Sequence, residues 1–338
     1  MRHVNQQGPT RRTMLRAGVA AGTAGALGAA GLFSAGTASA ATTARGGTGG
    51  LPYPRDVTDT SHCSPEVAEV FRGIFTAKSE HDLAAFMSYF STANASYFDA
   101  CLPVVLSGWQ AINSEFTAIF GGAPASAISY PLTIVGDTRS AAVEFVDSPP
   151  FFFNEEIRCL SSVTFDSNRK ITRWVDYWDG RSSLIENTFT TYPAGFNDSE
   201  QNADPAVVRA ATLLQAAFAA GDAAAAVALM SVDVVHEDMA AHTRVRGQIQ
   251  AQRYYTRALG QLPYGPGAAL IHAEGSGQGG GYEWSASPGA TPMRRGHTCI
   301  ELDEAGQISR VLAVYDSSLL SYAAYQSLAG AAAEAPRS

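Results

Sequence analysis

Beyond its first forty residues the 338-residue chain has no cluster of lysine or arginine. Its 23 basic residues are scattered and face 31 acidic ones, for a formal charge of -8. Nucleic acid and anionic membranes are held through a basic patch, so neither is expected as a partner. A glycine-rich nucleotide loop is also missing: Gly275 to Gly281 falls in a hairpin and lacks the strand-to-helix setting such a loop needs. No two histidines stand at the helical spacing of a metal pair, so no metal and no cofactor are expected. Cysteine is scarce, and none of Cys63, Cys101, Cys159 and Cys299 stands in a nucleophile context, the His62 before Cys63 included.

What is present begins with an address. The adjacent Arg11-Arg12 precedes a weakly apolar stretch from Ala17 to Phe33, and Ala38-Ser39-Ala40 offers small residues to a signal peptidase. This is the pattern of a twin-arginine export signal cleaved after Ala40. As an uncleaved membrane anchor the stretch is poor in leucine and short for a bilayer. Cleavage would remove four arginines and no acids, leaving 19 basic against 31 acidic residues, a charge of -12. An exported chain with four cysteines allows up to two disulfides in three pairings, Cys63 with Cys101 being the first candidate. Residues 41–63 are Gly/Thr/Pro-rich over most of their length and read as a flexible lead-in.

The remaining sequence is written twice. Ser64-Pro65 opens a helix with a cap and a proline at its first position, and Asp204-Pro205 does the same. Val67, Phe71, Ile74 and Phe75 recur at helical spacing, answered by Val207, Ala211, Leu214 and Phe218. A short second helix follows in each copy. Asp99 then precedes Gly108 by nine residues, as Asp238 precedes Gly247, and a third helix follows each glycine. Period-two strands are expected at 130–135, 141–146, 158–165 and 171–178, and again at 269–273, 281–285, 297–302 and 308–315. The copies span residues 64–184 and 204–320, joined by a turn-rich linker at 185–203. The tail at 321–338 is Ala-rich and expected to fray. The fold class is α+β, with helices on one side of an antiparallel sheet, twice.

The element order, the Asp-to-Gly spacing and the strand ends Ile171-Thr-Arg173 to Tyr177-Trp178-Asp179 and Ile308-Ser-Arg310 to Tyr315-Asp316 resemble the nuclear-transport-factor-two-like superfamily. That group includes SnoaL-like polyketide cyclases, ketosteroid isomerases, scytalone dehydratase and small epoxide hydrolases. The resemblance implies two cystatin-like cones with a pocket inside each, packed as a pseudo-dimer within a monomeric chain. It says little about function, since the superfamily holds unrelated chemistries and non-enzymes.

By the same resemblance, Asp99 and Asp238 occupy the general-base position of the isomerases. There an apolar pocket would raise a carboxylate toward neutrality and make it a useful base. Neither first helix carries the isomerases' oxyanion tyrosine, so a steroid isomerase is not expected. Glu144 and Glu283 sit at matched strand positions and are candidate partner acids, or else outward polar residues. Asp176, between Trp174 and Trp178, is either a pocket carboxylate or a rim residue. His236 shares a strand face with Asp238, which suits proton transfer. Trp109, Phe116, Tyr255, Trp174, Trp178 and Tyr315 are candidate walls for a small hydrophobic molecule. Two classes remain open: an acid/base enzyme without cofactor, and an exported carrier of hydrophobic ligands.

Overall fold

The computed structural model describes residues 51–54, 56–102, 104–149, 151, 155–181, 202–286 and 294–333. The export signal and nearly all of the 185–203 linker lie outside the described residues. No described helix is long and apolar enough to cross a membrane.

In chain order the first half comprises β1 (Asp59–Cys63), α1 (Pro65–Glu80), α2 (Leu83–Met87), β2 (Ser96–Asp99), β3 (Val104–Ser107), α3 (Trp109–Gly122), β4 (Ser129–Gly136), β5 (Ser140–Asp147), β6 (Ile157–Phe165) and β7 (Ile171–Trp178). The second comprises α4 (Pro205–Ala219), α5 (Ala223–Val227), β8 (Met230–Asp238), β9 (Thr243–Arg246), α6 (Gln248–Ala258), β10 (Ala269–Ser276), β11 (Gly279–Ser285), β12 (Arg295–Leu302) and β13 (Ile308–Val314), with α7 (Tyr322–Ala331) at the end. The helix starts follow from capping chemistry. Ser64 accepts from the Val67 N–H at 3.3 Å and Asp204 from the Ala206 N–H at 2.9 Å, each followed by proline. Asp82 and Asp222 cap the short helices in the same way. Gly108 and Gly247 precede α3 and α6 at φ +88° and +83°, where an L side chain would be strained. Both donate back across the hairpin, to Ala95 O and Val234 O. That requirement explains the matched Asp-to-Gly spacing.

The chain forms a mixed α+β structure with two sheets, ordered β1-β4-β5-β6-β7-β2-β3 and β10-β11-β12-β13-β8-β9. The expectation of purely antiparallel sheets is corrected: β2 runs parallel to β7, β8 to β13 and β1 to β4. The expected lead-in therefore ends in a strand, and α7 orders the expected tail by burying Leu328 and Ala331. The Cys63–Cys101 disulfide is also corrected. Cys63 ends β1 and Cys101 follows β2, with β4, β5, β6 and β7 between those strands in the sheet. Disulfide geometry needs Cα atoms within about 7 Å. All four cysteines are buried thiols, and those of Cys63 and Cys101 donate to the carbonyls of Thr60 and Trp178.

Each sheet wraps its own helices around an inner core, Phe71, Phe75, Phe86, Phe116 and Trp174 in the first half and Phe218, Tyr255, Tyr264 and Trp284 in the second. A third buried cluster joins the outer faces of the two sheets, with Phe98, Leu160, Val175 and Tyr177 meeting Met239, Leu312 and Val314. Strand alternation sorts the residues. Trp174, Asp176 and Trp178 point to the inner core, while Arg173, Val175 and Tyr177 point to the facing sheet.

Candidate active site

The first half encloses a small apolar cavity with about 20 Å³ of free space, room for little more than a water-sized occupant. The rings of Phe75, Phe86, Phe90, Phe116, Phe145 and Trp174 form its walls. Two charged groups reach it. Asp176, on β7, is buried and accepts from the Tyr97 hydroxyl, the Trp174 indole N–H and the Ser161 hydroxyl. All three partners donate, as an acceptor-only carboxylate requires. Lys78, on the last turn of α1, lies 4.6 Å from the Phe145 ring centroid and pairs with buried Asp147 at 2.6 Å. A fixed carboxylate and a fixed ammonium on an apolar wall can polarise and deprotonate a small hydrophobic molecule, which this cavity admits only when its ring walls move aside.

Asp99 stands elsewhere. Its carboxylate caps the turn after β2, accepting the Cys101 and Leu102 N–H groups at 3.0 and 2.9 Å, and it takes the Trp178 indole N–H at 3.1 Å. Trp178 thus serves Asp99 and Trp174 serves Asp176, so the two indoles do not flank one acid. Trp109 donates its indole N–H to Met87 O at 3.1 Å and ties α3 to α2. Of the six candidate wall residues, Phe116 and Trp174 line the cavity.

In the second half the expected His/Asp face exists. Asp238 is fully buried and accepts from the Ala241 N–H at 2.8 Å, the Tyr264 hydroxyl at 3.1 Å and the Tyr315 hydroxyl at 3.3 Å. Burial pushes it up from 3.8 to about 7, against these hydrogen bonds. The Tyr255 hydroxyl bonds His236 Nδ1 at 3.0 Å, and burial pushes this histidine down to about 3. His236 packs at a tilt against Tyr254 with ring centroids 5.1 Å apart. Large aromatic side chains occupy this interior: Tyr254, Tyr255, Tyr264, Tyr282, Trp284 and Tyr315 are all fully buried.

Glu144 and Glu283 belong to neither interior, which corrects their reading as partner acids. Their neighbours Phe145 and Trp284 take the inner face, so both glutamates point to the junction of the sheets. Glu144 pairs with Arg158 of its own sheet and Arg310 of the other. Glu283 pairs with Arg295 of its own sheet and Arg173 of the other, both at 2.5 Å. The ends of the last strands exchange contacts in the same way. Asp179 accepts from the Ser317 N–H at 2.8 Å and Asp316 from the Gly180 N–H at 3.1 Å.

Lys78, Tyr97, Ser161 and Asp147 were not among the residues expected at a site. Lys78 had a legible signal, since it continues the apolar stripe of Val67, Phe71, Ile74 and Phe75, where a lysine must meet a partner.

No protein-family model matches the chain, and no curated protein matches it in sequence. Solved structures resemble parts of it. A putative SnoaL-like polyketide cyclase from Shewanella denitrificans is 15% identical with a TM-score of 0.31, over 36% of this chain and 95% of that one. A steroid delta-isomerase from Pseudomonas aeruginosa is 16% identical with a TM-score of 0.31, over 39% of this chain and 93% of that one. An uncharacterised protein with a cystatin-like fold from Silicibacter pomeroyi is 19% identical with a TM-score of 0.30, over 38% of this chain and 82% of that one. Any reading of the chemistry therefore rests on this chain's own residues.

Proposed function

We propose that the chain is an exported, cofactor-independent acid/base enzyme acting on a small hydrophobic molecule. Its two cones, residues 64–184 and 204–320, form an intramolecular pseudo-dimer, and the first cone does the chemistry. One observation carries this reading: Asp176 places a buried carboxylate on the wall of the apolar cavity. Asp176 takes a proton from the bound molecule and returns it. Tyr97, Trp174 and Ser161 hold its carboxylate in one orientation. The Lys78 ammonium stabilises the negative charge that develops as the proton leaves. Cyclisation and isomerisation fit this scheme, as does dehydration when the returned proton leaves with a hydroxyl as water. Hydrolysis fits when Asp176 draws the proton from a water that adds to the molecule. In the second cone the rings occupy the interior, and that cone completes the fold.

The three donors on Asp176 also favour a second reading, an exported carrier whose carboxylate is a structural acceptor. Native mass spectrometry of the protein incubated with extracts of its source separates the two. Wild type and Asp238→Asn are expected to convert a bound molecule, and Asp176→Asn to bind it and return it intact. Conversion by Asp176→Asn at the wild-type rate refutes the assignment of the base. Recovery of unchanged ligand from all three proteins establishes the carrier.

A further inference from the structure

On the junction face of the second sheet, the register sets His272, Glu283 and His297 in one row across β10, β11 and β12. Glu274 stands two residues from His272 on the same face. One donor atom from each of His272, Glu274 and Glu283 lies within 4.8 Å of the others, and all three residues are fully buried. His297 bonds Glu274 through Nε2.

The first sheet is an internal control for this arrangement. At the corresponding junction positions it carries Thr133, Val135 and Leu160 in place of His272, Glu274 and His297, and it keeps only the glutamate, Glu144. The junction therefore packs without a histidine and carboxylate cluster. Adding one buries polar groups at a cost unless they bind something. Two further observations point to a ligand. Glu274 Oε2 and His297 Nδ1, both buried, have no hydrogen-bond partner among the described residues. Gly281, opposite Glu274, has Ala142 as its counterpart. A Cβ at Gly281 would fall 2.3 Å from Glu274 Oε1 and 2.4 Å from His297 Nε2, so its absence leaves the cluster its room.

We propose that His272, Glu274 and Glu283 bind one divalent transition-metal ion of the zinc type, as a structural site tying β10 to β11 on the junction face of the second sheet. One imidazole and two carboxylates are donors of that class, at about 2.0–2.2 Å from the ion. His297 orients the Glu274 ligand through its hydrogen bond. Glu283 shares its charge with Arg173 and Arg295, so Glu274 and His272 bind the ion most strongly. The spacing rule for histidine pairs misses this site because it holds one histidine ligand and two carboxylates, carried by neighbouring strands.

The test uses the full chain produced with and without added zinc sulfate, since a buried site loads as the chain folds. Metal content is measured after dialysis, and thermal unfolding is followed in parallel. One zinc per wild-type chain and a higher melting temperature than the zinc-free protein are expected. His272→Thr with Glu274→Val, the residues the first sheet uses, should fold, lose the zinc and lose the melting-temperature difference. His297→Leu should keep the ligands but weaken zinc binding by about 10–100-fold. Absence of zinc from the wild type, or full retention by the double variant, overturns the proposal.

Discussion

Glu283→Gln is expected to destabilise the protein by about 3–5 kcal/mol, the cost of breaking a buried ion pair from one side. Glu283 accepts from Arg173, Arg295 and the Tyr177 hydroxyl, and both arginines are themselves buried. A neutral amide leaves two like charges facing each other in the dry junction between the sheets. The corresponding residue supplies the comparison. Glu144 holds the same pair of arginines with the sheets exchanged, but the side chains of Arg158 and Arg310 are 33% and 19% exposed. Glu144 is itself buried, but water can reach those guanidinium groups, so Glu144→Gln should cost less, about 1–3 kcal/mol. Urea unfolding of the two variants measures the contrast. Equal losses would show that burial does not distinguish the two ends of the junction.

That contrast lies below what the sequence can resolve. Much of the architecture was legible because local physics dictates it. Ser64-Pro65 and Asp204-Pro205 mark helix starts, Gly108 and Gly247 mark positive φ, and eight of the nine strands of seven or more residues keep a period of two, while the ninth, β8, was not foreseen. The short strands β2, β3 and β9 were hidden, since four residues give too little periodicity to separate strand from loop. The facing of Glu144 and Glu283 was hidden for a different reason. Both faces of each sheet are buried, one by helices and one by the other sheet, so alternation assigns a parity without saying which face is the pocket. The matched glutamates therefore suggested chemistry where the structure has an ion-paired junction.

The site was partly legible for the same reason. Asp176 belongs to a Trp-x-Asp-x-Trp alternation that puts a carboxylate among indoles, and His236 does share a face with Asp238. Which interior keeps its space is a matter of ring packing across several elements. Phe116 leaves room beside Trp174, whereas its counterpart Tyr255 turns its hydroxyl onto His236. Sums of side-chain volume inside a curved sheet cannot be read along one strand. The copies diverged there, and the divergence separates the cone proposed to act from the cone proposed to support it.

The second large effect is a pH dependence centred on Asp238. Its folded-state value is pushed up to about 7 by burial, from an ordinary value of 3.8. Below pH 4 the folded and unfolded chains both hold the proton. Between about pH 4 and 7 the unfolded chain has released it and the folded chain has not. The folded state binds more protons, so stability falls as pH rises through this window. At about 1.4 kcal/mol per pH unit the loss is on the order of 4 kcal/mol, complete by about pH 8. Asp238→Asn removes this contribution. Its carbonyl oxygen can still accept from the Ala241 N–H, and its amide can donate to the hydroxyls of Tyr264 and Tyr315. The variant should match wild type near pH 4 and exceed its stability by several kcal/mol at pH 8. Asp179, which burial raises to about 6, titrates in both proteins, and because its charge also raises Asp238 the difference between them reads Asp238 together with that coupling. Urea unfolding at pH 4.5, 6 and 8 reads the effect. Parallel pH profiles for the two proteins would mean that Asp238 keeps its charge in the folded state. The same variant bears on function, because a second cone that only supports the first should tolerate the amide with turnover unchanged.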